Sequence, residues 1–253
     1  MSGYILRITP YKEGDAIARL YDDKHGKCSV YLHRYKRSSA KFPSPIQYFT
    51  RYDFELKASG GEFYKLGSAY IEDSHPKISE LIERYAAASS ALELLDALLP
   101  DEHAVDGLGE ILGDFYAILE RTERPLLIAL ALTDFECRLQ NALEILPNLE
   151  YCYLCSKKLG KHAFYKPGYS FSCEQCTAAE RVRSEYPYAS RAMQRLLSQT
   201  PAQVLSNARS SNESALRVSI CAMRDILHDN ALNHCHRRHF KARDFFENLF
   251  NAI

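Results

Sequence analysis

A chain of 253 residues with 46% hydrophobic residues and 25% charged ones has the balance of an ordinary soluble globular protein with room for two or three compact modules, and excludes a disordered or fibrous one. Its longest apolar run, Leu126 to Leu132, is too short to cross a bilayer, and Met1-Ser2-Gly3 leads into a strand-like stretch with no basic and apolar leader, so a cytoplasmic protein without a membrane partner is expected. The net formal charge of zero conceals a segregation: residues 1–75 carry twelve Lys and Arg against nine Asp and Glu, 76–150 five against fifteen, and 151–253 fifteen against eight, which predicts separate faces that attract or repel polyanions.

In chain order, residues 3–73 read as five strands at about 3–9, 15–22, 27–35, 46–57 and 62–73. They are rich in aromatic and β-branched residues and are broken by turn chemistry such as Asp22-Asp-Lys-His-Gly26. Five short strands without an intervening helix predict a small closed barrel of the OB type. Pro76 opens a helical regime in which Ile78, Leu81, Ile82, Tyr85, Leu92, Leu95 and Leu98 recur at helical spacing until Pro100. A second helix is expected over Gly107–Glu120, and a third from Pro125 to Leu146, ahead of Pro147. Two Cys-x-x-Cys pairs and a short hairpin around Pro167-Gly168 follow, and then helices over Tyr188–Leu197, Pro201–Ser206, Ser214–His228 and Asp244–Phe250. The reading is an α+β multidomain chain: a five-stranded OB-fold β-barrel over 1–75, an α-helical domain in two parts (76–150 and 181–253), and a four-cysteine zinc ribbon inserted at 151–180.

Three clusters carry chemistry. Cys152, Cys155, Cys173 and Cys176 form two knuckles with seventeen residues between the inner pair, a spacing that suits one tetrahedral zinc bound by four thiolates. Four protein ligands leave no open position for a metal-bound water, so the ion, one per chain, is expected to be structural. Two unrelated redox pairs are the alternative, but the βαβ context such a pair needs is missing. Cys28, Cys137, Cys221 and Cys235 lie in apolar contexts and are expected to be buried free thiols. From Lys24 to Tyr52 there is no Asp or Glu, while Lys27, Arg34, Lys36, Arg37, Lys41 and Arg51 alternate with aromatics, the combination that tracks a phosphate backbone and stacks unpaired bases. These six are the candidate DNA contacts; a solvated basic loop is the bland alternative. A third cluster, Arg237, Arg238, Lys241 and Arg243, lies beside the last helix among three histidines and Cys235, and reads as a basic face better than as a second metal site, whose spacing matches no zinc motif.

The chain resembles the bacterial RecO family of recombination mediators from Gly3 to Phe250. Ile5-Leu6-Arg7 with Pro10-Tyr11-Lys12-Glu13-Gly14-Asp15, the basic segment from Gly26-Lys27 through Arg37 to Tyr48-Phe49, Phe135-Glu136-Cys137-Arg138-Leu139, the two Cys pairs, and Phe240-Lys241-Ala242-Arg243-Asp244-Phe245-Phe246 carry the resemblance. It implies a protein that is not an enzyme. Such proteins bind single- and double-stranded DNA, anneal strands and, with RecR, help load RecA onto DNA coated by single-strand-binding protein; a nucleoid-associated location follows. It also implies that the acidic, phenylalanine-ended tail of single-strand-binding protein docks on the helical domain, for which Arg138 and the Arg237–Arg243 cluster are candidates. This chain has His33-Arg34-Tyr35-Lys36 where the family usually has a Lys-Gly-Ala-Arg-like stretch. Two rivals stand beside this reading. A zinc deaminase would need a His-x-Glu motif and an open zinc position, and the sequence has neither. A zinc-stabilised interaction scaffold would use the same basic patches on acidic proteins.

Overall fold

A computed structural model describes residues 1–35, 46–58, 63–180, 187–235, 237 and 239–251. Lys36, Arg37, Lys41 and Arg238 lie outside the described residues. Five strands form the N-terminal part: β1 (Ser2–Tyr11), β2 (Asp15–Asp22), β3 (Gly26–Leu32), β4 (Thr50–Lys57) and β5 (Tyr64–Ser74). Alternate residues point inward, so Ile5, Ala18, Leu20, Val30, Leu32, Tyr52, Phe54 and Ala69 fill one interior. The strands close in the order β1-β2-β3-β5-β4, with Gly3 opposite Tyr52 at the seam. The β3–β5 contact, Val30 opposite Tyr64, is parallel. That pairing needs a crossover rather than a hairpin, and the chain passes through β4 between the two strands. A closed five-stranded barrel of this order is the OB-like architecture expected from the sequence.

The turn between β2 and β3 is built by Asp22, whose carboxylate accepts from the amides of Lys24 (3.0 Å) and His25 (2.8 Å). Gly26 then takes φ +77°, and a Cβ there would stand 2.2 Å from the carbonyl of His103.

The helix expected from Pro76 is divided. A 3-10 turn covers Pro76–Glu80, Leu81 is extended, and α1 runs from Ile82 to Leu98. Next come α2 (Leu108–Glu120) and α3 (Pro125–Ala142). The last of these stops short of Leu146 because Glu144 turns to φ +58° and the amides of Ile145 and Leu146 both return to the carbonyl of Gln140. A hairpin of β6 (Ala163–Tyr165) and β7 (Phe171–Cys173) leads into α4 (Glu174–Glu180). The remaining helices are α5 (Ala189–Leu197), α6 (Pro201–Ala208), α7 (Glu213–His234) and α8 (Lys241–Asn251). No helix among the described residues is long and apolar enough to cross a membrane.

Two compact units result. One comprises Met1–Arg121 with Phe240–Leu249, and the other Thr122–His239 with Phe250–Ile253. A boundary at residue 75 thus separates strands from helices but not compact units, since α1, α2 and most of α8 belong with the barrel. Glu93 of α1 accepts from the first amides of α8, Lys241 (3.1 Å) and Ala242 (2.8 Å), and so caps that helix, while Phe240 and Phe246 are buried. In the second unit α3 packs on α5, α6 and α7. There the buried Gln140 donates to the carbonyl of Leu227 and accepts from Asn230, leaving neither amide unsatisfied.

Candidate metal centre and nucleic-acid interface

The four cysteines meet. Cys152 and Cys155 sit on a tight turn in which the Ser156 amide donates to the carbonyl of Cys152 and the Cys152 amide to that of Lys157, both at 2.9 Å. Cys173 ends β7 and Cys176 lies in the first turn of α4, so the strand-to-helix junction presents the second pair. The Tyr153 amide donates to the carbonyl of Phe171, which ties one knuckle to the other. All four sulfurs lie within 4.8 Å of one another, and Cys155 Sγ is 3.8 Å from Cys173 Sγ. A zinc bound at about 2.3 Å by four thiolates holds its sulfurs about 3.8 Å apart. The donor set therefore fits such an ion. Burial opposes ionisation of Cys152, but the backbone amides of Cys173, Cys155 and Leu154 outweigh it and hold its thiol down to about 6. Cys176, hydrogen-bonded to Cys155 and Cys173, is pushed up to about 12.

The candidate DNA residues are not equivalent. Arg34 is exposed, at a left-handed turn (φ +49°) just past β3, where its amide donates to Asp15 at 2.9 Å. Lys27 is the correction: its side chain is enclosed, its Nζ donates to the carbonyl of Asp96 at 2.7 Å, and Asp101 lies 3.5 Å away. Burial lowers its pKa against the carboxylates of Asp96 and Asp101. Arg51 is also committed, with Nη2 on Asp23 and Nε 3.2 Å from Glu72 and 2.8 Å from Ser2 Oγ.

The register shows residues the sequence reading passed over. Thr9 pairs with Ile17, Ile17 with Tyr31, Tyr31 with Lys65 and Lys65 with Lys57, which draws one outward row across β1, β2, β3, β5 and β4. Tyr11 packs edge-on against Tyr31 with centroids 6.2 Å apart, and Lys12 Nζ stands 5.3 Å from the Tyr11 centroid. Tyr64, next to Lys65, pairs with the inward Val30 and so lies on the other side of β5, off this row. The row gathers lysines and tyrosines from strands far apart in sequence. The available signal was the parity of Lys57, Lys65 and Tyr31 within their strands, which places them on one face only once strand order is known.

The C-terminal candidates divide in the same way. Lys241 is exposed and Arg237 half-buried. Arg243 is buried, with Nη2 3.1 Å from Glu247. Arg138 acts as a structural clamp: Nε and Nη2 bind both oxygens of Asp134 at 2.9 and 3.0 Å. Nη2 also donates to the carbonyls of Leu196 and Gln199, each at 2.7 Å, closing the C-terminal end of α5. Among the described residues, the four cysteines are the one metal-ligating group, and His234, Cys235 and His239 join none. Cys28 and Cys137 are buried and their thiols are pushed up to about 12, chiefly by that burial, whereas Cys221 and Cys235 are half-exposed.

Residues 1–75 match the family model described as "Recombination protein O N terminal", and residues 79–243 match "Recombination protein O C terminal". Among curated proteins, the chain is similar to "DNA repair protein RecO" of Pelobacter propionicus, with 28% identity over 182 residues, 72% of this chain and 73% of the relative. The protein of the same name from Listeria monocytogenes serotype 4b is 24% identical over 185 residues, covering 73% and 71% of the two chains. The one from Pelotomaculum thermopropionicum is 27% identical over 175 residues, covering 69% and 66%.

Proposed function

The chain belongs to the recombination protein O (RecO) family, and from that premise we propose that it serves DNA repair and recombination as a non-enzymatic mediator. It binds single- and double-stranded DNA, anneals complementary strands and, with RecR, helps load RecA onto DNA coated by single-strand-binding protein. The observation that carries this reading is the pairing of both family matches with a barrel closed in OB order. On that barrel, Arg34, Lys57 and Lys65 neutralise phosphates, which positions a strand without reading its sequence, and Tyr11 and Tyr31 offer rings to unpaired bases. Lys36, Arg37 and Lys41 extend the same basic segment in sequence and belong to the proposed surface. Cys152, Cys155, Cys173 and Cys176 hold one structural zinc. The tail of single-strand-binding protein docks on the helical part, with Arg237 and Lys241 the available bases.

The test is anisotropy of a labelled oligonucleotide titrated at several salt concentrations. Each single-strand phosphate contact contributes about −0.7 to the log–log slope of affinity against salt, so the Arg34→Glu/Lys57→Glu/Lys65→Glu variant should bind any sequence more weakly, with a slope flatter by about 2. Unchanged affinity and slope would remove these residues from the surface. Wild-type protein that binds no DNA and anneals no strands would favour the interaction scaffold.

A further inference from the structure

The metal module carries more than its ligands. Between Glu150 and Glu174 the sequence has no acidic residue but four lysines: 157, 158, 161 and 166. The first three are exposed. Tyr169, 63% exposed, stacks against Tyr153 with centroids 5.8 Å apart and planes 28° from parallel, and Lys166 Nζ lies 4.6 Å from the Tyr169 centroid.

The ring is held in place. Lys166-Pro167-Gly168-Tyr169 has Pro and then Gly at φ +74° as its central residues, and the Tyr169 amide donates to the carbonyl of Lys166 at 3.0 Å, the makings of a type II turn. Asp229 of α7 anchors that turn, accepting from Tyr165 Oη at 2.6 Å and from the Gly168 amide at 3.1 Å. Asp229 is occupied by these donors, and Glu174 lies 3.9 Å from His162.

We propose that this face of the metal module is a second contact for single-stranded nucleic acid, in which an unpaired base extends the Tyr153–Tyr169 stack and the exposed Lys157, Lys158 and Lys161 neutralise the flanking phosphates. The charge selects a polyanion, and the exposed ring selects one whose bases are free to stack, which excludes duplex as the preferred ligand. The inference rests on the DNA-binding reading above and adds to it a site in the second compact unit.

The probe is a dT20 oligonucleotide and, for stacking, the same length with one central 2-aminopurine, both added to full-length zinc-loaded protein. Tyr169→Ala should weaken single-strand binding roughly fivefold to a hundredfold and reduce 2-aminopurine quenching, while Tyr169→Phe retains both. Lys157→Glu/Lys158→Glu/Lys161→Glu should weaken binding and flatten the salt slope by about 2, leaving zinc content at the wild-type value. That lysine variant, built on exposed positions, decides the matter if Tyr169→Ala loses metal. Wild-type binding that both variants keep unchanged, but that the barrel reversal abolishes, overturns this inference alone. Wild-type protein that binds no oligonucleotide overturns both readings. Binding of an acidic peptide in place of dT20 would overturn it in favour of a protein partner.

Discussion

Arg138 illustrates how a residue singled out for recognition is consumed by the fold. Its guanidinium satisfies a buried carboxylate and two helix-end carbonyls at once, so Arg138→Ala should destabilise the second unit by about 3–5 kcal/mol in chemical denaturation. Burial already raises the pKa of Asp134 against the lowering influence of Arg138, and removing the arginine raises it further. A carboxyl whose folded pKa lies above its unfolded value contributes stability below the unfolded value, near 3.9, and loses it as pH rises through the folded one. The variant should therefore lose less relative to wild type at pH 4 than at pH 7, and adding Asp134→Asn should recover part of the loss at neutral pH. A loss independent of pH would mean that the carbonyl contacts dominate.

At the scale of elements, the strands were legible because alternation and turn residues agree. The barrel interior followed from parity alone, as Ala18, Leu20, Val30 and Phe54 show. What parity could not give was which part of the outer face stays open. Lys27 and Tyr31 point to the same side of β3, but Asp96 of α1 meets the first, and only the second lies in the open row. The short α4 escaped because seven residues carrying a ligand cysteine give no helical period to read. The break at Leu81 escaped because its apolar residues keep helical spacing through a 3-10 turn. Gly26 can be tested directly. A Cβ there is strained in backbone and strikes His103, so Gly26→Ala should cost at least about 1–2 kcal/mol in thermal or denaturant unfolding, whereas the same change at Gly14 (φ +82°), with open space around it, meets the conformational cost without the clash. Equal losses at the two sites would show that the contact with His103 relaxes freely.

At the scale of the whole molecule, the two units should answer differently to loss of metal. Cys173→Ser should lower zinc content and destabilise the second unit, because binding energy at a structural site is folding energy. Metal analysis alongside far-ultraviolet melting reads both, and full zinc retention in Cys152→Ser/Cys176→Ser would refute a four-thiolate site. The other unit has a different dependence, which follows from α8. Its cap on Glu93 and the burial of Phe240 and Phe246 make the chain's late residues part of the unit begun by its first strand. A ribosome delivers those segments far apart in time, and domains ordinarily fold as they emerge. Here the barrel strands can pair early, but the surface that takes α8 stays bare until Thr122–His239 has been translated. During synthesis that uncovered strip is a natural substrate for a chaperone, and a ribosome that stalls before Phe240 leaves a nascent chain marked for degradation by the apolar surface it still shows.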